Sequence, residues 1–381
     1  ISGPLESAPV HNTPIWDDGQ SLPLRPLDGD VETEVCVIGL GGSGLTALDE
    51  LTTMGRGAVG IDAVGIAPGA AGRNGGLLLG GTADFHHDAI ATLGHQRALG
   101  IHRETMAEIR RIDEQAPGVV RYTGSIRLSS GPDEDADIAR QREAMLADGI
   151  RCERYESPLG HGIYMPDDAC FHPQRRGRAL AERVIAQGAR LFGQTRATRY
   201  SATEVHTDSG TIRCERVIVA VDGRLEVLVP ELAGRVRSAR LQMLATAPIA
   251  EPRFPAPIST RYGYDYWQQA PDGSVALGGG RDQSVDTEWT TNAEPTEQIQ
   301  GYLERTLRSR CGVAAPITHR WAASVSYTET GLPVCEELRP GLWVIGAYSG
   351  TGNVMGALCG RAAARAVSGE TTAFARLLWY P

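Results

Sequence analysis

Apolar residues along the chain first fall into a structural period at Val35-Cys36-Val37-Ile38, an unbroken run of strand length suited to a central parallel strand covered on both faces. Leu45, Leu48, Leu51 and Met54 then recur at three-residue steps, which puts them on one face of a helix, and Gly55 is placed to end it. A second run, Ala58-Val59-Gly60-Ile61, closes on an acid, Asp62. Before this unit the chain shows no periodicity. Up to about Gly29 it is rich in Pro, Asp and Gly, which predicts an extended arm pinned by Trp16.

Later segments alternate in character. Residues 85–165 read as helical, with charged patches such as Arg103-Glu104 and Asp133-Glu134-Asp135. Phe171-His172-Pro173 leads into a helical pattern from Ala179 to Gly188, and Arg216-Val217-Ile218-Val219-Ala220 reads as a strand. Residues 225–320 read as β-rich. There Tyr262, Tyr264 and Tyr266 recur at period two, which predicts one strand face carrying all three rings and Trp267 on the other face. Ala270-Pro271-Asp272-Gly273 predicts a turn, and Ser274 to Gly280 the returning strand. A last buried strand, Gly341 to Gly346, runs into a glycine-rich turn that holds Gly350, Thr351, Gly352, Asn353 and Val354.

Composition narrows the chemistry. A chain of 381 residues exceeds most single cores, so two structural units are expected. A net charge of −9 argues against a nucleic-acid partner, which needs a basic surface. The chain has no lysine, which excludes Schiff-base pyridoxal chemistry and the phosphate-loop kinase motif. The seven cysteines form no Cys-x-x-Cys spacing and the nine histidines no His-Glu-x-x-His helix, so no metal site is expected. No apolar run approaches the roughly 20 residues of a membrane span, and the first residues lack a secretory pattern, so a cytoplasmic location is expected. No Gly-x-Ser-x-Gly elbow marks a serine hydrolase.

Between the first strand and helix stands Gly39-Leu40-Gly41-Gly42-Ser43-Gly44, the Gly-x-Gly-x-x-Gly spacing in the place a dinucleotide fingerprint requires. Gly39 allows the tight turn, Gly41 the approach of a pyrophosphate, and Gly44 close helix packing, while the helix N-terminus offers N–H groups to phosphate. Asp62 follows Gly39 by 62 − 39 = 23 positions, the right separation for a ribose hydroxyl. The pattern fits NAD or FAD, and a glycine loop without a ligand is the bland alternative.

Gly69-Ala70-Ala71-Gly72-Arg73-Asn74-Gly75-Gly76 resembles the flavin-flanking segment of the D-amino-acid oxidase superfamily of FAD-dependent oxidoreductases, with Ala71 where that family usually has serine. The turn from Gly346 through Gly350 to Val354 resembles the family's closing motif. Gly331-Leu332-Pro333 resembles the stretch before it, with Thr330 replacing an acid. These matches follow the family order from roughly residue 12 to residue 370. The pattern is nearest the glycine oxidase, monomeric sarcosine oxidase and gamma-glutamylputrescine oxidase members.

The resemblance implies an α/β fold in which a Rossmann-like FAD-binding domain (residues 30–84, 166–224 and 321–375) is interleaved with an α+β substrate domain (85–165 and 225–320). The second domain carries a large antiparallel sheet, and residues 1–29 form the N-terminal arm. It also implies non-covalent FAD held by Gly39, Gly41, Gly42, Ser43, Gly44, Asp62, Ala63, Ala71, Gly72, Arg73, Asn74, Gly75, Gly76, Gly346, Gly350, Thr351, Gly352, Asn353 and Val354. The expected activity is oxidation of a C–N bond in a small amine or N-substituted amino acid, by hydride transfer to flavin N5, giving an imine that hydrolyses. O2 or another electron acceptor would take the electrons. Tyr262, Tyr264 and Tyr266 would wall the substrate, although core packing explains their spacing equally well. The arginine with which such oxidases clamp a carboxylate is missing at its usual place; Arg320, upstream, is the substitute candidate, and an amine is favoured over a simple amino acid. Two further readings stay open: a hydroxy-acid or amino-acid dehydrogenase with a non-oxygen acceptor, and a flavin-binding protein without catalysis.

Overall fold

The computed structural model describes residues 10–379. The first nine residues of the expected arm lie outside them.

Two sheets organise the chain in a mixed α/β architecture. The first has six strands, in the order Arg190–Phe192, Ala58–Ile61, Val35–Ile38, Arg216–Val219, Leu342–Gly346 and Val334–Arg339. The first five run parallel and the last antiparallel. Its strands Ala58–Ile61, Val35–Ile38 and Leu342–Gly346 are buried at every position because both faces are covered. Val35, Val37, Ile218 and Ile345 pack with the helices Gly42–Thr53, Pro173–Ala186 and Met355–Val367. Their alternates Cys36, Ile38, Val217, Val219 and Val344 pack on the opposite side with Val205, Ile212 and Leu225. The helix Gly42–Thr53 sits so close to its strand that a Cβ on Gly44 would overlap the Gly39 carbonyl oxygen.

The second sheet has nine strands, in the order Val10–His11, Ile317–Thr328, Val236–Thr246, Val275–Gly279, Asp265–Gln269, Ile258–Thr260, Ser125–Leu128, Gly160–Met165 and Glu153–Ser157. Six of its eight junctions are antiparallel. The strand Ile317–Thr328 runs unbroken through residues 320 and 321, where a domain boundary was expected, and pairs along its length with Val236–Thr246. The segment 85–165 is not wholly helical: it supplies three edge strands of this sheet beside the helices His86–Leu93, His95–Gln115 and Pro132–Ala147. Such edge strands are held by backbone pairing with the sheet and need no strong apolar pattern of their own.

The tyrosine strand is shorter than its spacing predicts. It begins at Asp265, so Tyr266 lies in it while Tyr262 and Tyr264 belong to a turn. Arg261 (φ 53°), Tyr262 (φ 56°) and Gly263 (φ 84°) are left-handed, and the Gly263 N–H donates to Thr260 O at 3.1 Å. The cause is a buried acid. Glu134, 1% exposed, accepts from the backbone N–H groups of Arg261 (3.1 Å) and Tyr262 (2.8 Å), which no extended strand could aim at one carboxylate.

The two sheets meet at residues 73–75. Trp321 Nε1 donates to Arg73 O at 2.8 Å, Trp16 Nε1 to Asn74 O at 2.7 Å, and Gln268 Nε2 to Gly75 O. Arg73 returns the contact through Nε to Ala322 O, 2.9 Å. Trp321 is fully buried, so Trp321→Phe strands the Arg73 carbonyl. Urea unfolding should lose about 1–3 kcal/mol, and Trp321→Ala about 3–5 kcal/mol. An unchanged urea midpoint in both variants would remove this joint as a stabilising feature.

Candidate functional site

A single cavity of about 1000 Å3 runs between the sheets, from the fingerprint loop past residues 73–75 to the helical segment. At the fingerprint end it is lined by Gly39, Gly41, Gly42 and Ser43. The helix Gly42–Thr53 has Gly41 as N-cap and no side-chain cap, so its first N–H groups remain available to an anion. Asp62 also lines this end and uses both carboxylate oxygens to hold the turn, accepting from Leu40 (3.1 Å), Val64 (2.8 Å) and Gly65 (3.1 Å) N–H groups. Burial raises its carboxyl above the usual range, against the pull of those three bonds.

Six predicted residues lie outside the lining. Gly44, Gly72, Gly76 and Gly346 stand where other chain approaches too closely for a side chain: a Cβ would overlap the Gly39, Ala67, Phe171 and Val221 carbonyl oxygens respectively. They shape the site without facing it. Ala63 is exposed beyond the loop, and Val64 takes its place in the lining. Arg320 shares a strand face with its register partner Leu244, which packs in the cluster of the helix Glu297–Ser309. It donates to Gln300 Oε1 (3.1 Å) and Glu304 Oε2 (2.7 Å) on that helix, so it forms an ion pair away from the cavity.

The cavity presents a side chain that spacing did not reveal. Arg176, on the helix Pro173–Ala186, is 6% exposed and donates from Nη1 to Asn353 O at 2.9 Å. Its Nη2 is buried without a partner, and Nη1 lies 3.7 Å from where a Cβ on Gly42 would stand. Burial lowers it to about 10, still a cation at neutral pH. Ser324 Oγ and Tyr348 OH are likewise buried, unpartnered and part of the lining. A cation, open helix N–H groups and the Tyr348 hydroxyl near Ser43 at one end, with the Ser324 hydroxyl also in the lining, fit an elongated ligand with phosphates and other polar groups. FAD is such a ligand.

Past the phosphate end, Ala71, Arg73, Asn74 and Gly75 face the cavity together with Gly350, Thr351, Gly352, Asn353 and Val354. Asn74 ties the two groups: its Oδ1 accepts from Asn353 Nδ2 at 3.1 Å and from the Gly76 N–H at 2.8 Å. The second group follows a strained turn in which Ala347 (φ 54°), Ser349 (φ 50°) and Gly350 (φ 89°) are left-handed. Asp222 holds it, accepting from the Tyr348 N–H at 3.2 Å, and burial pushes this carboxyl up to about 7.

The opposite wall is the nine-stranded sheet. All three expected tyrosines reach the lining but in different settings. Tyr266 is packed against Gly75 and Gly278, whereas Tyr262 is 48% exposed and donates to Asp137 at 3.1 Å. Tyr264 lies against Arg281, whose guanidinium is 5.7 Å from its ring centroid and 4.8 Å from that of Tyr327. Arg281 also lines the cavity and, among the described residues, pairs with no carboxylate. Its cue in the sequence is the preceding triplet Gly278-Gly279-Gly280, where the backbone turns left-handed (φ 138° and 70° at the last two) and releases the strand.

A family model described as "FAD dependent oxidoreductase" matches residues 34–366. The chain is 27% identical to the probable oxidoreductase OrdL of Rhizobium meliloti, over 92% of this chain and 88% of that relative. It is 25% identical to gamma-glutamylputrescine oxidoreductase of Escherichia coli, over 94% and 90%. Among solved structures, L-proline dehydrogenase from P. horikoshii superposes with a TM-score of 0.76 at 19% identity, covering 91% of this chain and 96% of that one. Glycine oxidase from Geobacillus kaustophilus gives 0.73 at 18%, covering 90% and 96%.

Arg176 supplies the direct test of the phosphate end. Arg176→Met should weaken FAD binding about 10- to 100-fold, the worth of one charge-assisted hydrogen bond, with Arg176→Lys intermediate. Fluorescence titration of apoprotein with FAD reads it, and equal affinity in all three proteins would show that this guanidinium does not meet the phosphates.

Proposed function

The chain belongs to this family of FAD-dependent oxidoreductases, and from that premise we propose that it oxidises the C–N bond of an amine or N-substituted amino acid, giving an imine that water hydrolyses. The observation that carries the reading is the shared cavity: the glycine segment 73–75 forms one wall, and the aromatic face of the nine-stranded sheet, with Tyr266 against Gly75, forms the other. Bound FAD supplies the two-electron acceptor for the hydride that leaves the substrate's α-carbon. The protein's part is position and exclusion of water. Tyr266 and Met243, neighbours across the sheet through Gly278, make a flat, largely apolar floor that suits a neutral amine.

Arg281 alters the expected substrate wall. A cage of tyrosine faces would favour a cation, but here Arg281 already occupies the faces of Tyr264 and Tyr327. The wall therefore offers a cation to the substrate and suits a carboxylate beside the reacting nitrogen. The 25% identity to gamma-glutamylputrescine oxidoreductase supports a C–N bond as the one oxidised. Among the described residues no cysteine lines the cavity, which supports non-covalent FAD. O2 or a second carrier takes the electrons, and no helix of the described residues is long and apolar enough to cross a membrane to reach one.

Anaerobic mixing with a panel of amines, N-substituted amino acids and hydroxy acids should bleach the flavin bands with nitrogen compounds alone; bleaching by hydroxy acids alone would overturn the reading. Arg281→Met should raise KM about 10- to 100-fold for substrates carrying a carboxylate and leave amines without one little changed. Admitting air to the reduced enzyme then reads whether O2 is the acceptor.

A further inference from the structure

The cavity does not end at the aromatic floor. It continues beneath the helical segment, where the strand Ser125–Leu128 supplies Arg127. Cross-strand pairing places Arg127 opposite Ser259, Ser259 opposite Tyr266, and Tyr266 opposite Gly278, so these positions form one row on one face of the sheet. Arg127 and Tyr266 are two strands apart, about 10 Å at the usual strand spacing.

Arg127 is partly buried and lines the cavity. Among the described residues it makes one hydrogen bond, from Nη1 to Gln141 Oε1 at 3.2 Å, and its guanidinium lies 4.2 Å from the Phe85 ring centroid. Its Nε is buried without a partner. Among the described residues no carboxylate lies within ion-pair distance of it, and two of those nearby are engaged elsewhere. Asp168 accepts from Ser125 Oγ (2.6 Å) and the Gly80 N–H (3.0 Å). Glu134 accepts from Ser130 and from the Arg261 and Tyr262 N–H groups. Asp84, exposed on the same cavity, makes no hydrogen bond or ion pair among the described residues, and partial burial raises its carboxyl. A partly buried guanidinium fixed by an aromatic ring and an amide, with a buried Nε and further donors left over, is suited to receive an anion.

We infer that Arg127 binds a carboxylate at the far end of the substrate, about 10 Å from the aromatic floor where the C–N bond lies, so that the substrate class is an amine or amino acid with a chain ending in a carboxylate. This rests on the reading of the cavity as the site of C–N oxidation. A carboxylate fits better than a phosphate monoester, since Asp84, Glu134 and Asp168 surround Arg127 and a dianion would meet three like charges. The carbon chain between the two ends would run past Met106, Met145 and Met165, flexible side chains that accept varied shapes.

The test uses the FAD-loaded enzyme and ligands that cannot be oxidised at nitrogen: hexanoate and hexanamide, followed by calorimetry and by flavin absorbance. Hexanoate should bind wild type at least 10-fold more tightly than hexanamide. Arg127→Met should erase that preference, Arg127→Lys should keep part of it, and Asp168→Asn should enlarge it by removing a competing charge. Asparagine can still accept from Gly80 and donate to Ser125, so this last variant reads the charge even where Arg127→Met does not fold. Equal binding of the two ligands to wild type, or a preference lost in Arg281→Met and kept in Arg127→Lys and Asp168→Asn at its wild-type size, overturns the inference. Since neither ligand is turned over, the result stands apart from the fate of the proposed reaction: an enzyme that bleaches with amines but ignores the carboxylate sinks this inference alone.

Discussion

The structure depends on how three consecutive carbonyl groups are satisfied. Residues 73–75 lie open along the cavity at the end of the short helix Ala70–Arg73, so their carbonyl groups have no helix or sheet partner, yet buried carbonyls without partners cost about 1–3 kcal/mol each. Each finds a side chain from elsewhere: Trp321 on Arg73, Trp16 on Asn74 and Gln268 on Gly75. Two donors come from the nine-stranded sheet and one from the arm. The bonds that keep this segment exposed are thus the same bonds that fix the second sheet against the first. The cavity width is set by them, and so is the position of Tyr266, which packs on Gly75.

Arginine does all the cationic work in this lysine-free chain, and the way it is used separates scaffold from site. Arg240, buried on the sheet, forks onto Glu288 with bonds of 2.7 to 3.3 Å and adds the Glu294 and Thr287 carbonyls. Arg361 reaches both Glu108 and Glu50, and Arg365 shares Glu50, which locks the helices Gly42–Thr53, His95–Gln115 and Met355–Val367 together. These ion pairs satisfy the cost of burying charge within the protein. Arg176, Arg281 and Arg127 are held differently. Each lines the one cavity, and each lacks a carboxylate partner among the described residues. Of the two most buried arginines, Arg240 meets a carboxylate of the protein and Arg176 does not, so the cavity that Arg176 faces is where ligand charge fits.

What could be read from the sequence follows from the range of the forces involved. The fingerprint strand, helix and acid were legible because each is determined locally, by apolar period, glycine spacing and helix-end chemistry. The glycine segment 69–76 was legible through its resemblance, and the structure gives its reason in the side chains that cap its carbonyls. Tyr262 and Tyr264 misled because their spacing is local but their conformation is not: Glu134, 128 positions before Tyr262, bends the chain there. Arg320 misled in the same way, its side of the strand being fixed by the helix Glu297–Ser309. Arg176 and Arg127 carried no sequence signal of their role, and Arg281 only the glycine triplet before it. An arginine is informative through the partner it lacks, and a missing partner is visible only in three dimensions.

Cofactor binding and folding are therefore one problem in this chain. Arg176 Nη2, Ser324 Oγ and Tyr348 OH come from three elements far apart in sequence, and folding buries all of them with no protein partner. The turn at Ala347, Ser349 and Gly350 adds backbone strain at the same place. A chain selected for stability alone would relieve these costs locally, with a side chain at Gly42 or an acid beside Arg176. It keeps them, and a ligand that meets those atoms in the folded state alone stabilises that state by an amount that grows with its affinity. On the proposed reading, the glycines that leave the loop without side chains and the unpartnered Nη2 of Arg176 are two halves of one arrangement, which a bound cofactor would complete.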